Sequence, residues 1–302
     1  MLPETRSRQP TRPPWPTAQL VQRRAELLAH SSAIATNLTY DSALQSYISF
    51  CTKHEMPLEP TPETLSFYIT YMSTYIKPSS VSSYLSGILH KLEPYFPHVR
   101  TARRHQLVRR TLQGALRLAN TPVQQKRPLT PTDLRDVLRQ TDPTVHDDAL
   151  FATLVFTGFF GLLRPSEFCF PDSPRRRDIR KLMIRHQVEF HEDSVSIPLN
   201  AHKADQHMSG HKVLLLRRDD DLNPLPVLQR YLAIRDINFP LNPELWTCSD
   251  GSVPHYSWFV NRLKYVLPGN IGGSSLRSGG ADHLARLGTD PALIQACGRW
   301  AS

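Results

Sequence analysis

Apolar residues recur at helical spacing along most of this chain. In "TYDSALQSYISFCTKH", Tyr40, Leu44, Tyr47, Ile48 and Cys51 fall at i, i+4, i+7, i+8 and i+11, one face of a helix. "TPETLSFYITYM" opens with Thr61 as an N-cap and Pro62 at the first helical position, where a missing N–H costs nothing. Glu63 then stands at the positive end of the dipole. Val81, Leu85, Ile88, Leu89 and Leu92 line one side of "SSVSSYLSGILHKL". Residues 100–119, "RTARRHQLVRRTLQGALRLA", read as one helix whose inward side is Val108, Leu112, Ala115, Leu116 and Ala119. The period then fails in "ANTPVQQKRPLTP", whose two Thr-Pro pairs and polar glutamines mark a linker.

A second periodic region follows. Thr130 caps it, Pro131 leads and Asp133 completes a capping-box pattern, with Leu134, Val137 and Leu138 inward. "DDALFATLVFTGFFGLL" is apolar nearly all round, which predicts a central buried helix. Between 181 and 218 the period shortens. Leu182, Ile184, Val188 and Phe190, then Val195 and Ile197, then Val213 to Leu216 predict a three-stranded antiparallel sheet, with Lys203 in or beside its second connection. Helices resume at "NPLPVLQRYLAIRD", capped by Asn223, and at "YSWFVNRLKYVL". In the latter, Tyr256 and Tyr265 read as amphipathic core positions. Two more follow: "SSLRSGGADHLARL", and a short helix capped by Thr289 or Asp290, with Pro291 first, Leu293 and Ile294 packed inward and Gly298 as its stop. The expected fold is mostly α. Residues 1–16 form a basic, proline-rich disordered arm, 17–120 an all-helical domain, 121–129 a linker, and 130–302 a helical domain carrying the small sheet.

Charge adds a partner class. The formal net charge of +9 over 302 residues suits a polyanion, nucleic acid or an anionic surface. Arg103, Arg110 and Arg117 repeat every seven residues along 100–119, and no acidic residue interrupts that segment. The stripe is either a solvated helix face or a set of phosphate contacts. Cys51, Cys169, Cys248 and Cys297 lie far apart without paired spacing and read as buried thiols of a reducing compartment. No run of some 18 apolar residues predicts a membrane span, and "MLPETRSRQPTRPPWP" lacks the apolar stretch of a secretory signal.

The residues suited to act on a phosphate are Arg164 in "TGFFGLLRPSEF", Lys203 in "NAHKADQH", Arg277 in "SSLRSGGA" and Trp300 after "ACGR". Two guanidinium forks can clamp a phosphoryl group, and a lysine can donate a proton to a leaving alkoxide. The glycines around Arg277 permit close backbone approach. Glu167 offers Arg164 a structural ion pair as the plainer reading.

In this order the segments resemble the tyrosine recombinase / phage integrase family, in the flavour of Crypton-type recombinase-like proteins of eukaryotic mobile elements. "TGFFGLLRPSEF" is similar to the family's first-arginine box, "HKADQHMSG" to its lysine hairpin, and "SLRSGGADHLARLGTDPALIQACGRW" to its His-x-x-Arg box followed by Gly-Arg-Trp. The resemblance spans 130–302, and more loosely 17–120 as a SAM-like helical core-binding domain. It implies a clamp on duplex DNA, possible assembly of copies on that DNA, no metal or small-molecule cofactor, and a 3′-phosphotyrosyl intermediate. By it Arg164 and Arg277 bind the scissile phosphate, Lys203 protonates the departing 5′-oxygen and Trp300 orients the site. Arg103, Arg110, Arg117, Lys203 and His207 are the expected DNA contacts.

Two departures stand out. Ser274 occupies the position of the motif histidine, and all ten tyrosines precede Arg277, whereas the family's nucleophile follows Gly-Arg-Trp. The expectation is a DNA-binding protein that does not cleave as given, either a piece of a longer recombinase or a binding or interaction protein on that scaffold. A metal reading would use His202, His207 and His211, but their spacing fits no familiar ligand pattern. The basic "PRRRDIRKLMIR" is a nuclear-import signal, a nucleic-acid patch or a solvated turn, and nuclear localisation is expected if the host is eukaryotic.

Overall fold

The computed structural model of the protein describes residues 12–29, 34–119, 125–200 and 211–300. The chain divides into two compact units, one up to Pro122 and one from Val123. The first is helical: α1 (Thr17–Ala29), α2 (Ile34–Lys53), α3 (Pro62–Met72), α4 (Pro78–Leu92), α5 (Val99–Arg104) and α6 (Gln106–Ala119). Its core gathers Ala43, Tyr47, Phe50 and Cys51 of α2 with Leu65, Tyr68 and Ile69 of α3. Val81, Leu85, Ile88 and Leu92 of α4, and Val108 and Leu112 of α6, complete it. The inward side of α2 is turned from the expected one. Ala43 and Phe50 are buried, while Tyr40, Leu44 and Ile48 are half-buried. α3 begins as its sequence predicts, with Thr61 Oγ1 accepting from Thr64 N at 3.1 Å and Thr64 Oγ1 accepting from Thr61 N at 2.9 Å.

Residues 100–119 are two helices, not one. His105 is extended (φ −56°, ψ 144°), and its Nδ1 accepts from Leu107 N at 3.3 Å, so the imidazole caps the second helix. Arg110 and Arg117 keep their spacing within α6, but Arg103 lies across the break on α5. Leu116 and Ala119, expected inward, are exposed. α1 presents Leu20, Val21, Leu27 and Leu28 exposed on its surface.

The second unit is built on α8 (His146–Phe160), buried on nearly every side and flanked by α7 (Pro131–Gln140) and α10 (Pro224–Asn238). Around it lie α9 (Pro165–Phe168), α11 (Tyr256–Val266), α12 (Ser274–Arg286) and α13 (Pro291–Gly298). Thr130 and Asp133 form the predicted capping box of α7, and Asn223 Oδ1 caps α10 by accepting from Leu225 N at 3.1 Å. The sheet is antiparallel in the order β1 (Glu189–Phe190), β2 (Ser194–Leu199), β3 (His211–Leu216), with Val195 opposite both Phe190 and Leu215. Its first strand is far shorter than expected. Residues 179–187 form two single-turn 3₁₀ helices, Ile179–Lys181 and Arg185–Gln187. Between these, Met183 O accepts from Leu245 N at 2.8 Å, and Arg185 N donates to Pro243 O at 2.8 Å. The apolar side chains of this stretch therefore serve a docked loop rather than a strand.

Candidate phosphate site

Three segments of the second unit meet around one buried carboxylate. Leu162 ends the turn after α8 in the left-handed region (φ 51°), and Arg164 then caps α9. Glu167, one turn on, accepts from Arg164 N at 2.8 Å and pairs with Arg164 Nη1 at 3.2 Å. Arg299 reaches the same carboxylate at 3.6 Å and donates to Leu162 O at 3.1 Å. Arg299 is itself left-handed (φ 54°), one residue beyond the expected stop at Gly298. Two non-glycine residues in this sparsely populated conformation, held together by one guanidinium, fix the turn that presents Arg164.

Arg277 enters from the first turn of α12. That helix lies unusually close to its neighbours because of its two glycines. A Cβ at Gly279 would stand 2.3 Å from Leu129 O, and one at Gly280 would stand 2.0 Å from Phe159 O. Arg277 is only 6% exposed. Its Nη2 donates to Gly298 O, and its guanidinium lies 4.8 Å from the centre of the Trp300 ring. The indole covers Gly298, where a Cβ would stand 2.2 Å from Trp300 Cζ3. Gly-Arg-Trp thus works as a unit: the glycine admits the ring, the arginine braces the turn, and the tryptophan seats Arg277.

The charges do not balance. Burial, and after it the nearby charge of Arg164, push the Arg277 guanidinium down to about 10 despite the opposing pull of Glu167. Burial likewise lowers Arg299, with Glu167 opposing. Arg277 Nε and Nη1 are buried without any hydrogen-bond partner, as is Arg299 Nε. Three cations thus share one carboxylate, and two N–H groups on a single side chain await acceptors. Such a donor set suits an oxyanion and repels a metal cation. Arg235 is a buried arginine more fully paired than Arg277, with only its Nε bare. It is 1% exposed, pairs with Asp236 at 2.8 Å and donates to two carbonyls, those of Asn242 and Glu244.

Arg164, Arg277 and Trp300 therefore come together from three distant segments, and Arg164 both pairs with Glu167 and keeps its side chain 32% exposed. Ser274 is exposed at the first position of α12, one turn before Arg277. Lys203 and His207, with His202, lie outside the described residues; the β2–β3 connection that carries them runs from the last pair, Leu199 with His211. Arg103, Arg110 and Arg117 belong to the other unit, and none of the three has an ion-pair partner among the described residues. Arg299 and the sharing of Glu167 were missed in the sequence, although Arg299 sits inside the Gly-Arg-Trp segment itself. Tyr256 and Tyr265 are not core positions, being 41% and 89% exposed. Leu293 is 55% exposed, and Cys297 is exposed while the other three thiols are buried.

No family model matches the sequence, and no curated protein matches it. Solved structures do. The XerH site-specific recombinase in a post-cleavage complex with palindromic difH substrate aligns with a TM-score of 0.61 at 14% identity, over 87% of this chain and 72% of that one. A lambda integrase dimer bound to a COC′ core site gives 0.56 at 13%, covering 95% of each chain. The Tn1549 transposon integrase with circular intermediate DNA gives 0.54 at 13%, over 86% of this chain and 92% of that one. These neighbours are tyrosine recombinases and integrases, and the architecture they share with this chain, a helical unit followed by an α+β unit with a small antiparallel sheet, is the tyrosine recombinase fold.

Proposed function

We propose that this protein binds duplex DNA through its phosphates and holds one backbone phosphate between Arg164 and Arg277, in a role of DNA recombination or integration. The observation that carries this reading is Arg277, a buried guanidinium with two unpaired N–H groups beside two further arginines. A phosphate oxygen would accept from those groups and offset the excess positive charge, the preorganised arrangement that phosphoryl chemistry uses. The complexes of the structural neighbours with DNA support the choice of DNA over a small phosphate ester. Lys203 is assigned to the same phosphate, where it would serve as proton donor to a leaving oxygen. Ser274, in place of a histidine, brings a hydroxyl that does not shuttle protons near neutral pH.

Titrating binding of the full chain to a labelled duplex of about 30 base pairs tests this, since log K should fall linearly with log salt. Arg277→Met should reduce that slope by about 1. Binding that ignores salt, or a slope unmoved by the substitution, would exclude the phosphate assignment.

A further inference from the structure

Tyr256 opens α11 beside the arginine site, and the fold makes no use of its phenol. Its hydroxyl forms no hydrogen bond among the described residues. The tyrosines that serve the cores behave otherwise. Tyr47 donates to Thr64 Oγ1 at 3.2 Å, Tyr68 shares a bond with Ser46 at 3.0 Å, and Tyr231 donates to Leu245 O at 3.0 Å. Tyr256 differs from them in being 41% exposed, open to a ligand rather than packed into a core.

The position of Tyr256 is fixed from both ends of the residue. Tyr256 N donates to Phe170 O at 2.9 Å, Phe170 N donates to Pro254 O at 2.9 Å, and Asp172 Oδ1 accepts from Ser257 N at 3.0 Å. These bonds tie the start of α11 to the residues just after α9, the helix capped by Arg164. At the other end, a Cβ on Gly273 would stand 3.2 Å from Tyr256 Oη and 2.8 Å from Pro165 Cγ. Pro165 adjoins Arg164, and Gly273 adjoins Ser274, one turn before Arg277. The hydroxyl is lodged between the two segments that deliver the arginines, at the amino end of α12.

We propose that Tyr256 is a phosphate ligand, its Oη–H donating a hydrogen bond to a non-bridging oxygen of the phosphate that Arg164 and Arg277 bind. The inference rests on the function proposed above and adds a residue to that site. Tyr256 brings a donor on a long, stiff side chain to the end of α12 where Ser274 presents only a short hydroxyl. The donor is neutral, so it supplies direction without adding to a site that already holds three cations.

Tyr256→Phe removes one oxygen and no hydrogen bond of the fold, so its thermal midpoint should match that of the parent protein. In the duplex titration it should bind about tenfold more weakly, the worth of one hydrogen bond to a charged acceptor. Its salt slope should stay that of the parent, because no cation is lost. Parent-like binding by Tyr256→Phe, with the slope still lowered by Arg277→Met, would overturn the Tyr256 assignment and leave the phosphate site standing. A lowered thermal midpoint in Tyr256→Phe would overturn it too, in favour of a structural role. Indifference of binding to both substitutions would remove the phosphate site and Tyr256 with it.

Discussion

At the scale of single residues, two buried arginines separate structure from function. Arg235 gives both terminal nitrogens to Asp236 and two carbonyls and leaves only Nε bare. Arg277 donates once, to Gly298 O, and leaves Nε and Nη1 bare. Each buried unsatisfied group costs about 1–3 kcal/mol, and removing a charge that lacks a partner is often stabilising. Arg277→Met keeps the length and the apolar contact with Trp300 while discarding the unpaired charge. It should therefore raise the stability of the free protein by about 1 kcal/mol, or about 2–4 °C in midpoint for a unit of this size. The same substitution should abolish the phosphate site. Differential scanning calorimetry without DNA checks it. A fall of several degrees would mean that the bond to Gly298 O outweighs the bare N–H groups, making Arg277 a structural residue like Arg235. Motif residues were legible in the sequence at this scale because they carry rare chemistry in a fixed order. Arg299 and Tyr256 were not, since the first matters through a left-handed turn and the second through contacts with the non-adjacent segments around Phe170 and Gly273, neither of which leaves a periodic trace.

At the scale of elements, capping and periodicity foretold most helices, and the failures share a cause. Thr61, Thr130 and Asn223 start their helices as local chemistry dictates. The helix expected over 100–119 is broken because His105 caps a new one, a bond that the apolar period passes over. The strand expected from Leu182 to Phe190 is cut to two residues because Pro243 and Leu245 dock on its first half. In both places a non-local or side-chain partner took the backbone groups. Glycine shows the same divide. A methyl group added at Gly114, inside α6, would have nothing within 4 Å, whereas one at Gly280 in α12 would meet Phe159 O at 2.0 Å. Gly114→Ala should stabilise the protein by about 0.5–1 kcal/mol through helix propensity and a less free unfolded chain. Gly280→Ala should destabilise it by about 1–3 kcal/mol, because the carbonyl it meets belongs to the central helix and has little room to move. Urea unfolding of the two variants reads both signs. If Gly280→Ala is neutral, α12 can move off α8, and the tight seating of Arg277 does not depend on that glycine.

At the scale of the whole molecule, the net charge of +9 is unevenly committed. Around the second unit, many arginines are spent on carboxylates: Arg127 on Asp133, Arg135 on Asp221, Arg185 on Asp236 and Arg218 on Asp220. In the first unit, Arg103, Arg110 and Arg117 have no such partner among the described residues, and burial alone pushes Arg103 down from its ordinary value. Arginines without ion pairs fit a solvated surface as well as phosphate contact, and a binding measurement separates the two. Each phosphate neutralised on duplex DNA adds about 0.9 to the salt slope. Replacing Arg103, Arg110 and Arg117 together by Gln should therefore lower the slope by about 2–3, weaken binding to unrelated sequences alike, and leave the thermal midpoint no lower, since no ion pair is lost. Arg277 belongs to the other unit and shares no partner with them, so adding Arg277→Met should lower the slope by a further step of about 1. A slope unmoved by the triple substitution would return the three arginines to a solvated face and confine phosphate recognition to the second unit. A triple variant that loses the effect of Arg277→Met as well would show that both units must engage one duplex before the site around Glu167 is filled.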